Sequence, residues 1–385
     1  MKTVLIVVGT RPEAIKMAPI IKTFEQDKTF KLKVCVTAQH RQMLDQVLEL
    51  FDIQPDYDLD VMQNNQTAID CFNSIMQGLS TIIQDIKPDA VFVHGDTTTT
   101  IASAMTAFYH KVPVMHVEAG LRTYNIQSPW PEEAHRQMLS NIAHCHFAPS
   151  KHTAQNLYNE HVSPDTVFIT GNTVIDALKM IQQRLNGDGD IAKATKKQFD
   201  YLDFDKPIVL LTVHRHENIG DGIKKIIKAV QKLSDMHPQT QFVIPMNLNP
   251  IVRQPILEKL DNLKNVSLIE PLDYLPFVYL MSHCTVILTD SGGIQEEAPA
   301  LGVPVLVLRN TTERQEVLET GAIKLIGTHA PTIVSETTML LDSPKVRKKM
   351  IKDFHPYGDG TASIQILEII KSKWWLLILA QNNRH

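Results

Sequence analysis

The 385-residue chain has no marked excess of either charge: 38 Lys and Arg stand against 42 Asp and Glu, leaving a formal net charge of −4, and no basic run occurs along it. Without a basic face the chain is poorly suited to a nucleic-acid backbone, so nucleic acid is excluded as a partner and any phosphate must be recognised locally. Cysteine is scarce. Cys35, Cys71, Cys145 and Cys284 show no Cys-x-x-Cys spacing and three of them sit in apolar runs, a pattern of reduced, buried thiols with no disulfide. Long hydrophobic stretches are also missing. Val4-Leu5-Ile6-Val7-Val8 stops at Gly9-Thr10-Arg11, too short for a signal sequence or a membrane span, so a cytoplasmic protein is expected. The tail Trp374-Trp375-Leu376-Leu377-Ile378-Leu379-Ala380 is unusually apolar for a terminus but falls well short of the roughly 20 residues a span needs. A terminal helix buried on the body or on a partner chain is expected there, with an interfacial anchor as the alternative. No internal repeat or low-complexity tract is evident.

Hydrophobic residues make up 43% of the chain, ample for two packed cores at this length. Apolar runs recur with helical stretches between them: Val4–Val8, Leu32–Val36, Ala90–Val93, Val112–Val117, Ile208–Val213, Phe242–Ile244, Val266–Ile269, Val286–Leu288 and Val303–Val307. This alternation predicts an α/β protein with parallel sheets. Ala14, Met17, Ala18, Ile21 and Phe24 form one helical stripe, with Pro12 near its start. Gly171-Asn172-Thr173 is a plausible crossing point, and the polar segment from Gly187 to Pro207 breaks the rhythm. The domains expected are 1–171 and 172–361, with a C-terminal helix over 362–385 returning to the first.

The stretch Thr285 to Ala300 reads as strand, tight turn, helix. Asp290 and Ser291 are good capping residues, and Gly292 and Gly293 let a backbone approach a ligand, so free amides and a helix dipole converge where a phosphate would fit. Glu297, in the first turn, suits a ribose diol. An ordinary capped turn is the plain alternative. The serine-protease string Asp-Ser-Gly-Gly fails on context, because that nucleophile belongs to an all-β domain.

In a doubly wound sheet the polar residues at the C-terminal strand ends face the ligand side. The first strand ends in Gly9-Thr10-Arg11-Pro12-Glu13 with Lys16 a turn later, two cations able to hold a diphosphate unless they merely pair with Glu13. Later strands end at Asp96 and Glu118, and the rigid Pro129-Trp130-Pro131 loop brings Glu132 toward them. Carboxylates sharing one rim can hold different protonation states, as proton transfer on two faces of a substrate requires. For Asp96 the rival role is capping its own helix. The strand Ile208–Val213 ends in His214-Arg215-His216-Glu217, a place for a histidine that neutralises a leaving diphosphate. Metal binding by His214, His216 and Glu217 is the rival; Arg215 between them opposes a cation, and no metal or cofactor is assigned. His144 and His146 read as structural. The loop from Arg309 to Arg314 offers further cations.

Taken together, Gly9 to Lys16, His94 to Thr100, His116 to Arg122, Pro131-Glu132-Glu133, Gly171 to Asp176, His214-Arg215 and Asp290 to Glu297 resemble the non-hydrolysing bacterial UDP-N-acetylglucosamine 2-epimerases, from residue 2 to about 367. The resemblance implies two Rossmann-like domains facing a central cleft in a glycosyltransferase-B-like fold, a homodimer, and interconversion of UDP-N-acetylglucosamine and UDP-N-acetylmannosamine for surface polysaccharide synthesis. It also implies a mechanism, anti elimination of UDP to 2-acetamidoglucal followed by re-addition. Asp96, Glu118 and Glu132 match the family's acid/base carboxylates and His214 its essential histidine. Arg11, Ser291, Gly292 and Gly293 match diphosphate contacts, Lys16 a supporting cation, Glu297 the ribose contact, Phe277 the uracil side and Arg314 a further substrate-side arginine.

The chain departs from the family pattern at His216, Asn247 and Gln315. Some members bind a second UDP-N-acetylglucosamine as activator through positions matching Gln39, Gln42 and Glu132 with nearby basic residues. Asn65, His216 and Asn247 stand where those are often basic, so activation is expected to be weak or absent. Two rival functions share these residues. A hydrolysing relative would release N-acetylmannosamine and UDP, and a non-catalytic sugar-nucleotide sensor would bind without turnover.

Overall fold

A computed structural model describes residues 1–38, 41–62, 66–215, 218–351 and 356–382, with the side chains of Gln42 and 375–382 left aside. Gln39, Gln42, Asn65, His216, Glu217 and the apolar tail past Trp374 therefore lie outside the described side chains. The chain divides into two compact units, Met1–Met180 with Tyr357–His385, and Ile181–Pro356.

The first unit holds a sheet of β1 (Lys2–Val8), β2 (Phe30–Val36), β3 (Tyr57–Asp58), β4 (Ala90–His94), β5 (Val114–Val117), β6 (Cys145–Ala148) and β7 (Val167–Ile169), ordered β3-β2-β1-β4-β5-β6-β7. The second holds β8 (Ile208–Thr212), β9 (Gln241–Pro245), β10 (Val266–Ile269), β11 (Val286–Thr289), β12 (Val305–Val307) and β13 (Ile323–Leu325), ordered β10-β9-β8-β11-β12-β13. Every strand pairing described is parallel. In each sheet the order reverses at one place, between β1 and β4 and between β8 and β11. Strand ends diverge there and leave room for a ligand. The α/β class with two parallel sheets is thus the observed architecture.

Short edge strands escaped the apolar-run pattern. β3, β7 and β13 have two or three residues each, and β6 carries His146 within an otherwise apolar buried segment. The runs beginning at Val112 and Val303 start their strands two residues late, because Pro113 and Pro304 have no N–H for the ladder and only accept, from Val91 and Ile287.

The helix Arg11–Gln26 buries the expected stripe, Ala14, Met17, Ala18, Ile21 and Phe24. It also buries Ile15, Pro19 and Ile20, since the C-terminal helix Ala362–Asn382 packs on its other side. Lys371 pairs with Asp27 at 2.6 Å, and Trp374 meets Phe30 with ring centroids 5.3 Å apart. The four cysteines are free and buried. No helix among the described residues is long and apolar enough to cross a membrane.

His94, His116 and His146 lie within three adjacent strands, and His116 and His146 are register partners. Burial pushes their pKa values down to about 4, about 4 and about 3, so all three are neutral at pH 7. Unfolded histidine titrates near 6.5, so the unfolded chain takes up these protons first as pH falls. The stability that neutral imidazoles contribute is therefore complete above about pH 6.5 and is lost on the way down to about 4. Each titrating histidine adds a slope of up to about 1.4 kcal/mol per pH unit. The melting temperature should drop steeply over this window, and His146→Gln should flatten the drop. An unchanged pH slope in that variant, measured by calorimetry, would count against neutral burial.

Candidate active site

The strand-end residues of the first unit are held by one buried carboxylate. Thr10 caps the helix Arg11–Gln26, and Glu13 completes a capping box, accepting from the Gly9 and Thr10 amides at 2.9 and 2.7 Å. The same carboxylate accepts from Thr97 Oγ1 at 2.5 Å and Thr100 Oγ1 at 3.0 Å. It thereby ties the end of β1 to the turn after β4, across the place where the sheet order reverses. Burial raises the Glu13 pKa against the pull of these donors. A side chain at Gly9 is excluded, since a Cβ there would stand 2.1 Å from Thr99 Oγ1.

Lys16 is directed to Glu118, with which it forms a close ion pair. Glu118 also accepts from Asn172 Nδ2 at 3.1 Å, and His94 Nε2 lies 3.7 Å from the same oxygen. Glu118 has φ of +62°, a left-handed conformation that costs a non-glycine residue about 1 kcal/mol or more and occurs often at functional sites. Arg11, the neighbouring cation, is half-buried at the start of its helix.

Asp96 does not cap its helix. Thr97 does, through its hydroxyl to the Thr100 amide. The Asp96 carboxylate instead receives Arg136 Nη1 at 2.6 Å, and its carbonyl oxygen receives His135 Nδ1 at 2.8 Å. Burial raises the Asp96 pKa; Arg136 opposes the rise, while Glu118 and Glu132 add to it. Glu118 and Glu132 are therefore both near enough to act on Asp96. Glu132 opens the helix Glu132–Ile142, and its Oε2 is buried without a hydrogen-bond partner.

In the second unit the central group is Asp290, at the end of β11. It accepts from the amides of His214 at 3.0 Å and Arg215 at 3.0 Å, from Asn218 Nδ2 at 2.9 Å, and from His214 Nδ1 at 2.9 Å. Burial works to raise its pKa, but the His214 hydrogen bond and charge, with the amide bonds, hold it below the ordinary carboxylate range. Asp290 is thus an orienting partner rather than a helix cap. With Nδ1 committed, His214 presents Nε2 outward from a side chain that is 43% exposed.

Ser291 occupies the N-cap of the helix Gly292–Ala300 but makes no side-chain capping bond. Arg314 lies over this helix start: a Cβ on Gly292 would meet its Nη1 at 2.8 Å, whereas one on Gly293 would meet no heavy atom within 4 Å. The guanidinium is oriented by Glu296, at 2.8 Å from Nε, and by Glu313. Burial acts to raise the Glu313 pKa, yet Arg314 and Arg309 outweigh it and hold it down to about 2. Glu297 receives Tyr274 Oη at 3.2 Å, and Phe277 is half-buried a turn further along the helix Tyr274–Ser282. Asn247, after β9, accepts from the Asn249 amide at 2.8 Å.

The structure thus groups Asp96, Glu118, Glu132 and Lys16 in one unit, and His214, Ser291, Gly292, Gly293, Glu297 and Arg314 at strand ends and helix starts of the other. Sequence reasoning missed the partners Arg136, Glu133, Asn172, Tyr274 and Glu313. The spacing Glu133-x-x-Arg136 held a signal, since residues three apart share a helix face.

Two arrays of charged groups at switch points call for comparison with known proteins. Residues 22–371 match the family model described as UDP-N-acetylglucosamine 2-epimerase. The chain belongs to that family. It is 50% identical to the UDP-N-acetylglucosamine 2-epimerase of Escherichia coli K12 over 369 residues, covering 96% of this chain and 98% of that one. A crystal structure of UDP-GlcNAc 2-epimerase from Neisseria meningitidis bound to UDP-GlcNAc superposes with a TM-score of 0.92 at 50% identity, covering 96% of this chain and all of the other. A glycosyltransferase of kitacinnamycin, 10% identical with a TM-score of 0.62 over 95% of this chain and 98% of its own, shares the fold alone, as a glycosyltransferase-B-like architecture requires.

Replacing Asp290 should be costly whatever the ligand. Asp290→Ala strands the part-buried amides of His214 and Arg215 and removes one of the two acceptors of Asn218 Nδ2, each unsatisfied donor costing about 1–3 kcal/mol. Urea unfolding should show the second unit destabilised by about 3 kcal/mol or more; a loss below about 0.5 kcal/mol would contradict the network.

Proposed function

We propose that this chain interconverts UDP-N-acetylglucosamine and UDP-N-acetylmannosamine by eliminating UDP and adding it back. Epimerisation is the activity of the family, and one observation carries the mechanism: three carboxylates crowd together under different electrostatic constraints. Glu118 is ion-paired to Lys16, Asp96 holds its proton to higher pH than an ordinary carboxylate, and Glu132 keeps an unpartnered oxygen. Proton removal from one face of a carbon and delivery to the other needs such unequal acids.

The hydrogen on carbon 2 is not acidic, for no carbonyl adjoins that carbon. Breaking the carbon 1 to oxygen bond helps. As one carboxylate takes the proton, the electrons of the carbon–hydrogen bond form the double bond of 2-acetamidoglucal, and UDP departs with the electron pair of the broken bond. In return, carbon 2 takes a proton on its other face and the UDP oxygen rejoins carbon 1. In the second unit the leaving diphosphate is met by His214, by Arg314 and by the amides after Ser291. In the same unit Glu297 takes the ribose and Phe277 the uracil side.

Within the same proposal the chain is a homodimer. Its support is a surface on the helices Ala68–Ile86 and Thr98–Tyr109, where Tyr109 is 69% and Phe108 38% exposed and a depression of about 410 Å³ is lined by Met76, Thr106 and Tyr109. Four buried free thiols accord with a cytoplasmic location, and feeding surface polysaccharide synthesis is the expected purpose.

Proton NMR of the enzyme with UDP-N-acetylglucosamine in deuterated water tests the reaction. Deuterium should enter carbon 2 as a steady mixture with UDP-N-acetylmannosamine forms. Accumulating N-acetylmannosamine and UDP would establish hydrolysis instead, and binding without exchange would establish a sensor. Asp96→Asn, Glu118→Gln and Glu132→Gln should each lower kcat/KM by about 10²–10⁴, as should His214→Asn, while the first-unit variants retain UDP binding in calorimetry.

A further inference from the structure

The helix Glu132–Ile142 carries, besides Glu132, a buried pair that the reaction as described does not use. Arg136 is 4% exposed and Glu133 fully buried. Two edges of the guanidinium are occupied. Nε and Nη2 bond Glu133 Oε2 at 2.9 and 2.5 Å, while Nη1 reaches the Asp96 carboxylate at 2.6 Å. Glu133 is itself fixed, accepting from the Thr123 and Tyr124 amides at 3.0 and 2.9 Å and from Gln137 at 3.1 Å. A chain of contacts therefore runs from the loop after β5, through Glu133 and Arg136, to Asp96. At this burial Arg136 has little surface to offer a substrate, but a buried arginine costs several kcal/mol unless fully paired, and its pairing here is aimed at one acid.

We infer that Arg136, aimed by Glu133, is a positioning residue that fixes the Asp96 carboxylate in place and sets its charge state for the reaction. The inference rests on the epimerase reading above. Its geometry is that of a fork held on one edge by a rigid carboxylate, so that the free edge has a single direction. The groups facing Asp96 are Arg136 and Glu132 from this helix, Glu118 from the end of β5, and the His135 ring on the carbonyl oxygen. Only Arg136 among the charged ones favours the ionised acid. Glu132 and Glu118 disfavour it, so removal of the guanidinium leaves their effect and that of burial unopposed.

The test is the pH profile of kcat/KM for wild type, Arg136→Gln, Arg136→Lys and Glu133→Gln, with thermal unfolding and UDP affinity recorded alongside. Arg136→Gln should move the limb belonging to Asp96 to higher pH by about one unit or more, and Arg136→Lys, which keeps the charge but not the fork, should move it less. Glu133→Gln should lower kcat about tenfold or more while KM stays within about twofold, as loss of aim at a reacting group predicts. Arg136→Lys keeps the question answerable if the glutamine variant fails to fold. A profile that stays in place in a folded Arg136 variant overturns the inference, and so does a rise in KM with the profile unmoved, which would make Arg136 a substrate contact. Failure of wild type itself to exchange carbon 2 would instead refute the epimerase reading, so the two failures are separable.

Discussion

Carboxylates buried at the ends of parallel strands impose the constraint on which the rest depends. An ionised carboxylate taken out of water costs several kcal/mol unless donors or cations replace the water, and this chain holds several buried or half-buried ones near its strand ends. Each is compensated differently. Glu13 receives amides and threonine hydroxyls, Asp290 amides and an imidazole, Glu313 arginines, Glu118 a lysine and an asparagine, and Asp96 a single arginine. The differences set the chemistry. Asp290 and Glu313 are held ionised and serve as anchors, whereas at Glu13 burial outweighs its four donors. Asp96, met by one cation and facing two other acids, retains its proton more readily and can exchange it.

The two units use this constraint for opposite ends. In the second, acids hold cations and an imidazole around a helix start, so the net result is a surface prepared for negative charge. Gly292 shows how closely that surface is built, since the place a methyl group would take is filled by the Arg314 guanidinium. In the first unit, cations hold acids, and the result is a set of carboxylates with room for protons. The reaction proposed above calls on both kinds of surface, carboxylates that exchange protons and groups that hold a leaving diphosphate.

Much of this was legible in the sequence. Parallel sheets followed from alternating apolar runs, and the strand ends named Asp96, Glu118, His214 and the turn at Ser291, because polar residues that stop a buried strand stand where a ligand can reach them. What stayed hidden were partners distant along the chain. Asp290 looked like a cap because Asp before a helix usually is one, and nothing local reveals that His214, 76 residues earlier, takes its carboxylate. Lys16, one turn from Arg11, reads as a supporting cation for a diphosphate, and nothing local reveals that its ammonium also pairs with Glu118, 102 residues on. Short strands such as β3 and β13 hide for another reason: two or three residues cannot display a period.

Within the first unit, the approach of Gly171 to Tyr357 joins the fold to the chemistry. Gly171 has φ of +84°, and a Cβ there would sit 2.6 Å from the Tyr357 carbonyl oxygen, so only glycine lets the outgoing and returning segments touch. The Asn172 amide then bonds that same carbonyl at 2.9 Å, and Asp176 holds the start of the C-terminal helix through the Ala362 and Ser363 amides. Asn172 also spends its side chain on Glu118. The residue that fastens the two passages of the chain to each other therefore also fastens one of the three acids. Asn172 thus holds Tyr357 through its backbone amide and Glu118 through its side chain, so the backbone connection and one contact of the carboxylate share a residue.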